Sequence, residues 1–264
     1  MNRSKPRRTG RRHPLATVAL IALGLVFTGG GYAAFSSSTA QAETVANSQQ
    51  TIDEGEKLFQ ANCATCHGTG AVGTDAGPSL VGVGAAAVDF QVGTGRMPMQ
   101  MSGPQAQVKP VQFTDEQTKQ LAYYVASLGP GPDIPSDHLS NGGGDAANGA
   151  ELFRINCAMC HNVAGAGGAL TEGKYAPPLT ETSGVHIYEA MVTGPQNMPV
   201  FNDLNISPED KRDIITYLKY VQDSTPVGGF ELGSLGPVAE GLFIWIFGLG
   251  AIVAITVWIT AKSN

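Results

Sequence analysis

The sequence predicts a mainly α protein: two tandem copies of one small helical domain, with a long apolar segment at each end. Three observations carry this reading. Four blocks of residues recur in the same order in the two halves of the chain. Apolar positions within those blocks follow helical spacing, and no alternating strand pattern interrupts them. Two uncharged runs, 15–35 and 241–261, bracket the repeats. A chain of 264 residues has room for two such domains, each burying a modest core.

Residues 1–42 form a basic N-terminus followed by a hydrophobic segment. Arg3, Lys5, Arg7, Arg8, Arg11 and Arg12 precede the uncharged run from Leu15 to Phe35. At ~1.5 Å per residue such a run can span a bilayer of roughly 30 Å. Ala40-Gln41-Ala42 then has the small-residue pattern of a cleavage site. The segment therefore reads either as a signal that is removed or as a retained anchor. Both readings send the following residues across the membrane.

The first domain is expected over 48–129 and the second over 147–224. GEKLFQANCATCH at 55–67 aligns without a gap with GAELFRINCAMCH at 149–161. GPSL at 77–80 answers APPL at 176–179, and Thr94-Gly95 before Met97-Pro98 answers Thr193-Gly194 before Met198-Pro199. TDEQTKQLAYYV at 114–125 answers SPEDKRDIITYL at 207–218. This last block opens on an N-cap hydroxyl, Thr114 or Ser207, followed by acids, with Pro208 at the first helical position of the second copy. Leu121, Tyr124, Val125 and Leu128, and Ile214, Tyr217, Leu218 and Val221, then fall on one helix face. Gly55 and Gly149, each four residues before a phenylalanine, would let another helix approach closely.

Between the domains, 130–146 is too rich in Gly and Pro to be an element and reads as a linker, in which His138 has no role. A tail, 225–240, leads to the run at 241–261. Trp245 and Trp258 near its ends and Lys262 beyond it match a membrane-spanning helix with its C-terminus on the cytoplasmic side. Gly241, Gly248 and Ala251 fall roughly on one side of it and would favour a partner helix. Once the basic N-terminus is set aside, the body is strongly acidic, which argues against nucleic acid as a partner.

All four cysteines lie in two C-x-x-C-H stretches, Cys63, Cys66 and His67, then Cys157, Cys160 and His161. Disulfides across two-residue gaps would staple nothing distant. A redox dithiol leaves the histidine unexplained, and a structural zinc site needs four ligands where each copy supplies three. Covalent haem explains every residue: two thiols add to the porphyrin vinyl groups, and the next residue is the proximal iron ligand. Two covalently bound haems c follow.

The sixth iron position falls to Met97 and Met198, which recur at the same place in the repeat. Met99 and Met101 compete with Met97, and His186, which stands opposite Ala87 in the first copy, competes with Met198. A proximal histidine also needs an acceptor for its other ring N–H. The backbone carbonyls of Pro78 and Pro177 are the candidates, with Pro178 a register alternative in the second copy.

These residues carry a resemblance. Each copy resembles a class I cytochrome c domain, by its C-x-x-C-H, its G-P-x-L-type turn, its Met-Pro and its terminal helices. The whole chain, with GKYAPPL, TGPQNMP, PVGGFELGSLGPVAEG and one C-terminal membrane helix, resembles the dihaem cytochrome c subunit of the actinobacterial menaquinol–cytochrome c reductase, the cytochrome bcc complex. The resemblance implies a cytochrome b subunit and a Rieske iron–sulfur subunit as partners. It also implies delivery of electrons to a haem-copper oxidase, often within one supercomplex. The haem domains would lie on the extracytoplasmic side of the cell membrane. Two other readings compete. A dihaem subunit of a cbb-type oxidase would be anchored at its N-terminus alone, and a dihaem peroxidase needs an iron whose sixth position opens.

Overall fold

The computed structural model describes residues 14–39, 47–101, 103–224 and 241–262. The expected cleavage motif at 40–42 and the tail at 225–240 lie outside these residues. The N-terminal apolar run is one helix, α1, Pro14–Thr39.

The first domain is built from α2 (Gln49–Asn62), a single turn α3 (Ala64–His67), α4 (Gly84–Gly93) and α5 (Asp115–Ser127). After α6 (Asp137–Ser140), the second domain repeats the plan with α7 (Ala146–Asn156), α8 (Ala158–His161), α9 (Gly184–Thr193) and α10 (Pro208–Asp223). It adds a two-residue antiparallel pair, β1 (Gly168–Ala169) and β2 (Tyr175–Ala176).

Each domain is held by its first helix crossing its last, α2 on α5 and α7 on α10. A Cβ on Gly55 would overlap the Gln120 carbonyl, and one on Gly149 the Asp213 carbonyl. Only glycine lets the two backbones touch at these crossings. Beside each crossing the phenylalanine four residues on meets a tyrosine of the partner helix, Phe59 with Tyr124 at 5.2 Å between ring centroids and Phe153 with Tyr217 at 5.5 Å. Leu121, Tyr124 and Val125 are buried with Phe59, and Leu128 packs against them. In the second domain Ile214 and Leu218 are buried with Phe153, and Ile215 widens the stripe. The Thr114 hydroxyl accepts the N–H of Gln117 and the Ser207 hydroxyl that of Asp210, and in both cases the third-residue side chain closes a capping box.

The segment at 130–146 departs from the expectation of an element-free linker. Ile134 packs against the first core, and the Ala86 N–H donates to the Pro132 carbonyl at 3.0 Å. From Asp137 the chain belongs to the second domain: α6 packs on α9 and α10, and Leu139 joins that core. Arg212 donates to the Gly143 carbonyl and lies 3.5 Å from His138 Nε2. Glycine and proline here fit the chain to two close surfaces.

The two domains touch directly through α4 and α9. Gln105 Nε2 donates to the Tyr175 carbonyl at 3.0 Å, and the Tyr175 N–H returns a bond to Gln105 Oε1 at 2.9 Å. The Ala106 N–H donates to Gln196 Oε1 at 3.2 Å.

The C-terminal run forms α11, Gly241–Lys262, and among the described residues it is the one helix long and apolar enough to cross a membrane. Residues Ile244–Leu249 within it form a π turn. The expected face of Gly241, Gly248 and Ala251 assumed an unbroken α pitch. The π turn separates Gly241 from Ala251, so the α-helical spacing does not carry across it.

Candidate functional site

Each C-x-x-C-H is a kinked helical turn. The Cys63 N–H closes α2 on the Phe59 carbonyl at 2.8 Å, and its own carbonyl accepts the His67 N–H at 3.0 Å. Cys157 does the same between Phe153 and His161, at 2.9 Å in both bonds. One turn brings residues i, i+3 and i+4 to one side, so both thiols and the imidazole of each domain share a face. Cys63 and Cys157 are half-buried, while Cys66 and Cys160 are exposed. Burial, and then the neighbouring thiol, push Cys63 and Cys157 up to about 11.

The loop after each turn folds back over the histidine in the same way. The Gly73 N–H donates to the His67 carbonyl at 2.8 Å, and the Gly167 N–H to that of His161 at 2.9 Å. His67 Nδ1 then donates to the Pro78 carbonyl at 2.7 Å, and His161 Nδ1 to that of Pro177 at 3.0 Å. A carbonyl can only accept, so the proton sits on Nδ1 and Nε2 keeps its lone pair. The Pro178 carbonyl accepts the Thr182 hydroxyl instead, at 3.3 Å. Burial lowers the pKa of His161 against the opposing effect of the Pro177 bond, which favours the neutral imidazole a metal needs.

In the second domain a cavity of about 570 Å³ is lined by Cys157, Cys160, His161, Pro177 and Met198, with Leu179, Ile187, Met191 and Leu218 supplying apolar walls. This volume lies in the range of cofactor sites, roughly 300–1,000 Å³. Thiols, a neutral imidazole and a thioether around an apolar cavity are a donor set that fits covalent haem. In the first domain Met97 is half-buried and packs against the core with Cys63 and Leu80, whereas Met99 is 42% exposed and Met101 78%.

Two features were legible in the sequence in part at most. Thr94, Arg96, Pro104 and Gln105 of the first domain form part of the wall of the second domain's cavity. These contacts span both domains, and no motif marks them. His186 lines the same cavity, but its ring also lies edge-on to Phe90 at 6.1 Å and beside Asp89 and Glu189. The signal available was His186 and Glu189 at i, i+3 on one helix.

A family profile described as cytochrome C oxidase, cbb3-type, subunit III matches twice, over residues 50–125 and 144–218. A cytochrome bc1 complex cytochrome c subunit of Corynebacterium efficiens is 42% identical, over 99% of this chain and 92% of the relative. A protein of the same description from Mycobacterium tuberculosis is 41% identical, over 98% of this chain and 96% of the relative. The cbb3-type cytochrome c oxidase subunit FixP of Sinorhizobium medicae is 31% identical, over only 45% of this chain and 43% of its own length. The likeness to the oxidase subunit stops at part of the chain, whereas the likeness to the Corynebacterium and Mycobacterium proteins runs through both repeats and the C-terminal helix.

Proposed function

This chain belongs to the family of cytochrome bc1 complex cytochrome c subunits, and we propose that it relays electrons through two haems within one molecule. Its source would be the Rieske iron–sulfur subunit of a menaquinol-oxidising complex, and its acceptor the copper centre of a haem-copper oxidase held in the same assembly. A cytochrome b subunit completes the partners. Covalent haem c supplies a one-electron carrier in each domain, and every other contribution comes from the protein.

Cys63 and Cys66, and Cys157 and Cys160, would hold the two groups by thioether bonds. His67 and His161 would be the proximal ligands, oriented by the carbonyls of Pro78 and Pro177. Met97 and Met198 would fill the sixth positions, where a thioether favours the reduced iron and keeps oxygen and peroxide out. The paired methionines speak against a peroxidase. α11 would anchor the chain in the cell membrane with its C-terminus inside and the domains on the extracytoplasmic face; α1 is either a second anchor or a removed signal.

The observation that carries the relay is the direct packing of α4 on α9, with first-domain residues walling the second domain's cavity. Two carriers in contact need no diffusing intermediary. The test removes the second haem by Cys157→Ala with Cys160→Ala. Menaquinol should still reduce the first haem, while oxygen consumption through the attached oxidase collapses. Normal oxygen consumption without added soluble cytochrome c would take the second domain out of the electron path.

A further inference from the structure

The contact of α4 with α9 buries a group of polar side chains that the electron-carrier reading does not use. Asp89 is 4% exposed and Glu189 is 0% exposed. His186, one turn before Glu189 on α9, joins them, and the ligand atoms of all three lie within 4.8 Å of one another. Lys119 Nζ donates to Asp89 Oδ2 at 2.8 Å and offsets one of the two carboxylates. No N–H or O–H donor of the described residues reaches either oxygen of Glu189, and the carboxyl that it meets, Asp89, is itself an acceptor. A buried carboxylate without a donor is costly unless a cation or a proton meets it.

A proton held between the two carboxylates would satisfy Glu189, whose carboxyl is pushed up to about 10 by burial first and then by Asp89. That arrangement leaves the imidazole facing the pair without a task. Burial also lowers the pKa of His186 against the opposing pull of Asp89, which favours the neutral ring that a metal needs. Phe90 meets the ring edge-on at 6.1 Å, and Arg96 covers Phe90 at 4.8 Å from its centroid. The ring is thus held in place by residues of the opposite domain.

We propose that Asp89, His186 and Glu189 form a site for a divalent transition-metal ion, zinc by its ligand chemistry, that pins the first domain to the second. One imidazole nitrogen and two carboxylate oxygens suit zinc, which accepts three protein ligands and a water. Calcium and magnesium call for more oxygen ligands than the group supplies. Lys119 engages one oxygen of Asp89 and leaves the other for the ion. With one ligand from α4 and two from α9, the ion bridges the two domains; none of its three ligands is proposed to hold iron, although His186 also lines the second domain's cavity.

The test uses the full chain with both haems, purified in detergent, stripped with a chelator and then dialysed against zinc. Elemental analysis should find one tightly held zinc per chain. In competition with a chromogenic indicator, His186→Gln and Glu189→Gln should each weaken binding about tenfold or more. Zinc should also raise the thermal midpoint of the natural chain and not that of His186→Gln. Haem content and the reduced spectrum report whether each variant has folded. His186 is half-buried, so its variant decides the matter if Glu189→Gln loses haem. No bound zinc in the natural chain, or equal affinity in His186→Gln, would overturn the site. So would a protonated-carboxyl infrared band, lost in Glu189→Gln, that persists at saturating zinc.

Discussion

At the scale of single residues, the first-domain methionines that sequence left in competition differ in exposure. Met97 is packed into the first core, while Met99 and Met101 point outward. Replacing a thioether by an imidazole favours ferric iron, so Met97→His should lower one haem potential on the order of 0.1 V or more. Met99→His should leave both potentials unchanged in a redox titration. The reverse pattern would move the sixth ligand to Met99. The proline carbonyls were legible because the repeat puts Pro78 and Pro177 at matching places after each C-x-x-C-H. Choosing Pro177 over Pro178 needed the fold, in which Thr182 takes the second carbonyl. The Asp89, His186 and Glu189 group was not legible, because its members belong to separate domains and only the packing of α4 on α9 buries them together.

At the scale of elements, the glycines of the helix crossings are the most demanding positions. The spacing of Gly55 and Phe59 already suggested a close approach, since a glycine inside a helix otherwise costs stability. What it could not say is which backbone arrives, and the structure brings the Gln120 carbonyl to Gly55 and the Asp213 carbonyl to Gly149. Gly55→Ala should destabilise the first domain by about 1–3 kcal/mol or more through overpacking, despite alanine's better helix propensity. Thermal unfolding followed at the first haem would register this, and an unchanged midpoint would mean that the crossing accommodates a Cβ. The membrane helix was legible in extent but not in shape. Its π turn over Ile244–Leu249 is not signalled by hydropathy; Phe243, just before the turn, meets Phe247 within it, with tilted rings 4.6 Å apart between centroids. Such turns often mark functional contacts. Replacing 241–261 by polyleucine should therefore weaken co-purification with the other subunits of the complex while still anchoring the chain. Full recovery of the complex would reduce α11 to a tether.

At the scale of the whole molecule, the question is what holds the two domains in register. Composition suggested an element-free linker over 130–146, and composition misled because it cannot see that both ends of the segment are packed. Ile134 belongs to the first core and α6 to the second, so only Pro135 and Ser136 lie between the segments packed on each side. The register must then come from the interface itself: α4 on α9, the paired bonds of Gln105 with Tyr175, and Gln196 with Ala106. Lengthening a loop costs little entropy, about 0.6 kcal/mol for each doubling, and the domains stay at high local concentration. A ten-residue Gly/Ser insertion after Pro135 should therefore leave both haem spectra, and turnover with the attached oxidase, close to those of the natural chain. Gln105→Ala opposes the interface and not the linker, and it strips the Tyr175 backbone of both its Gln105 bonds in the wall of the second domain's cavity. Combined with the insertion, it should slow reoxidation of the first haem in a stopped-flow measurement more than either change alone. If the insertion by itself collapses turnover, the covalent spacer and not the interface sets the distance that electrons must cross.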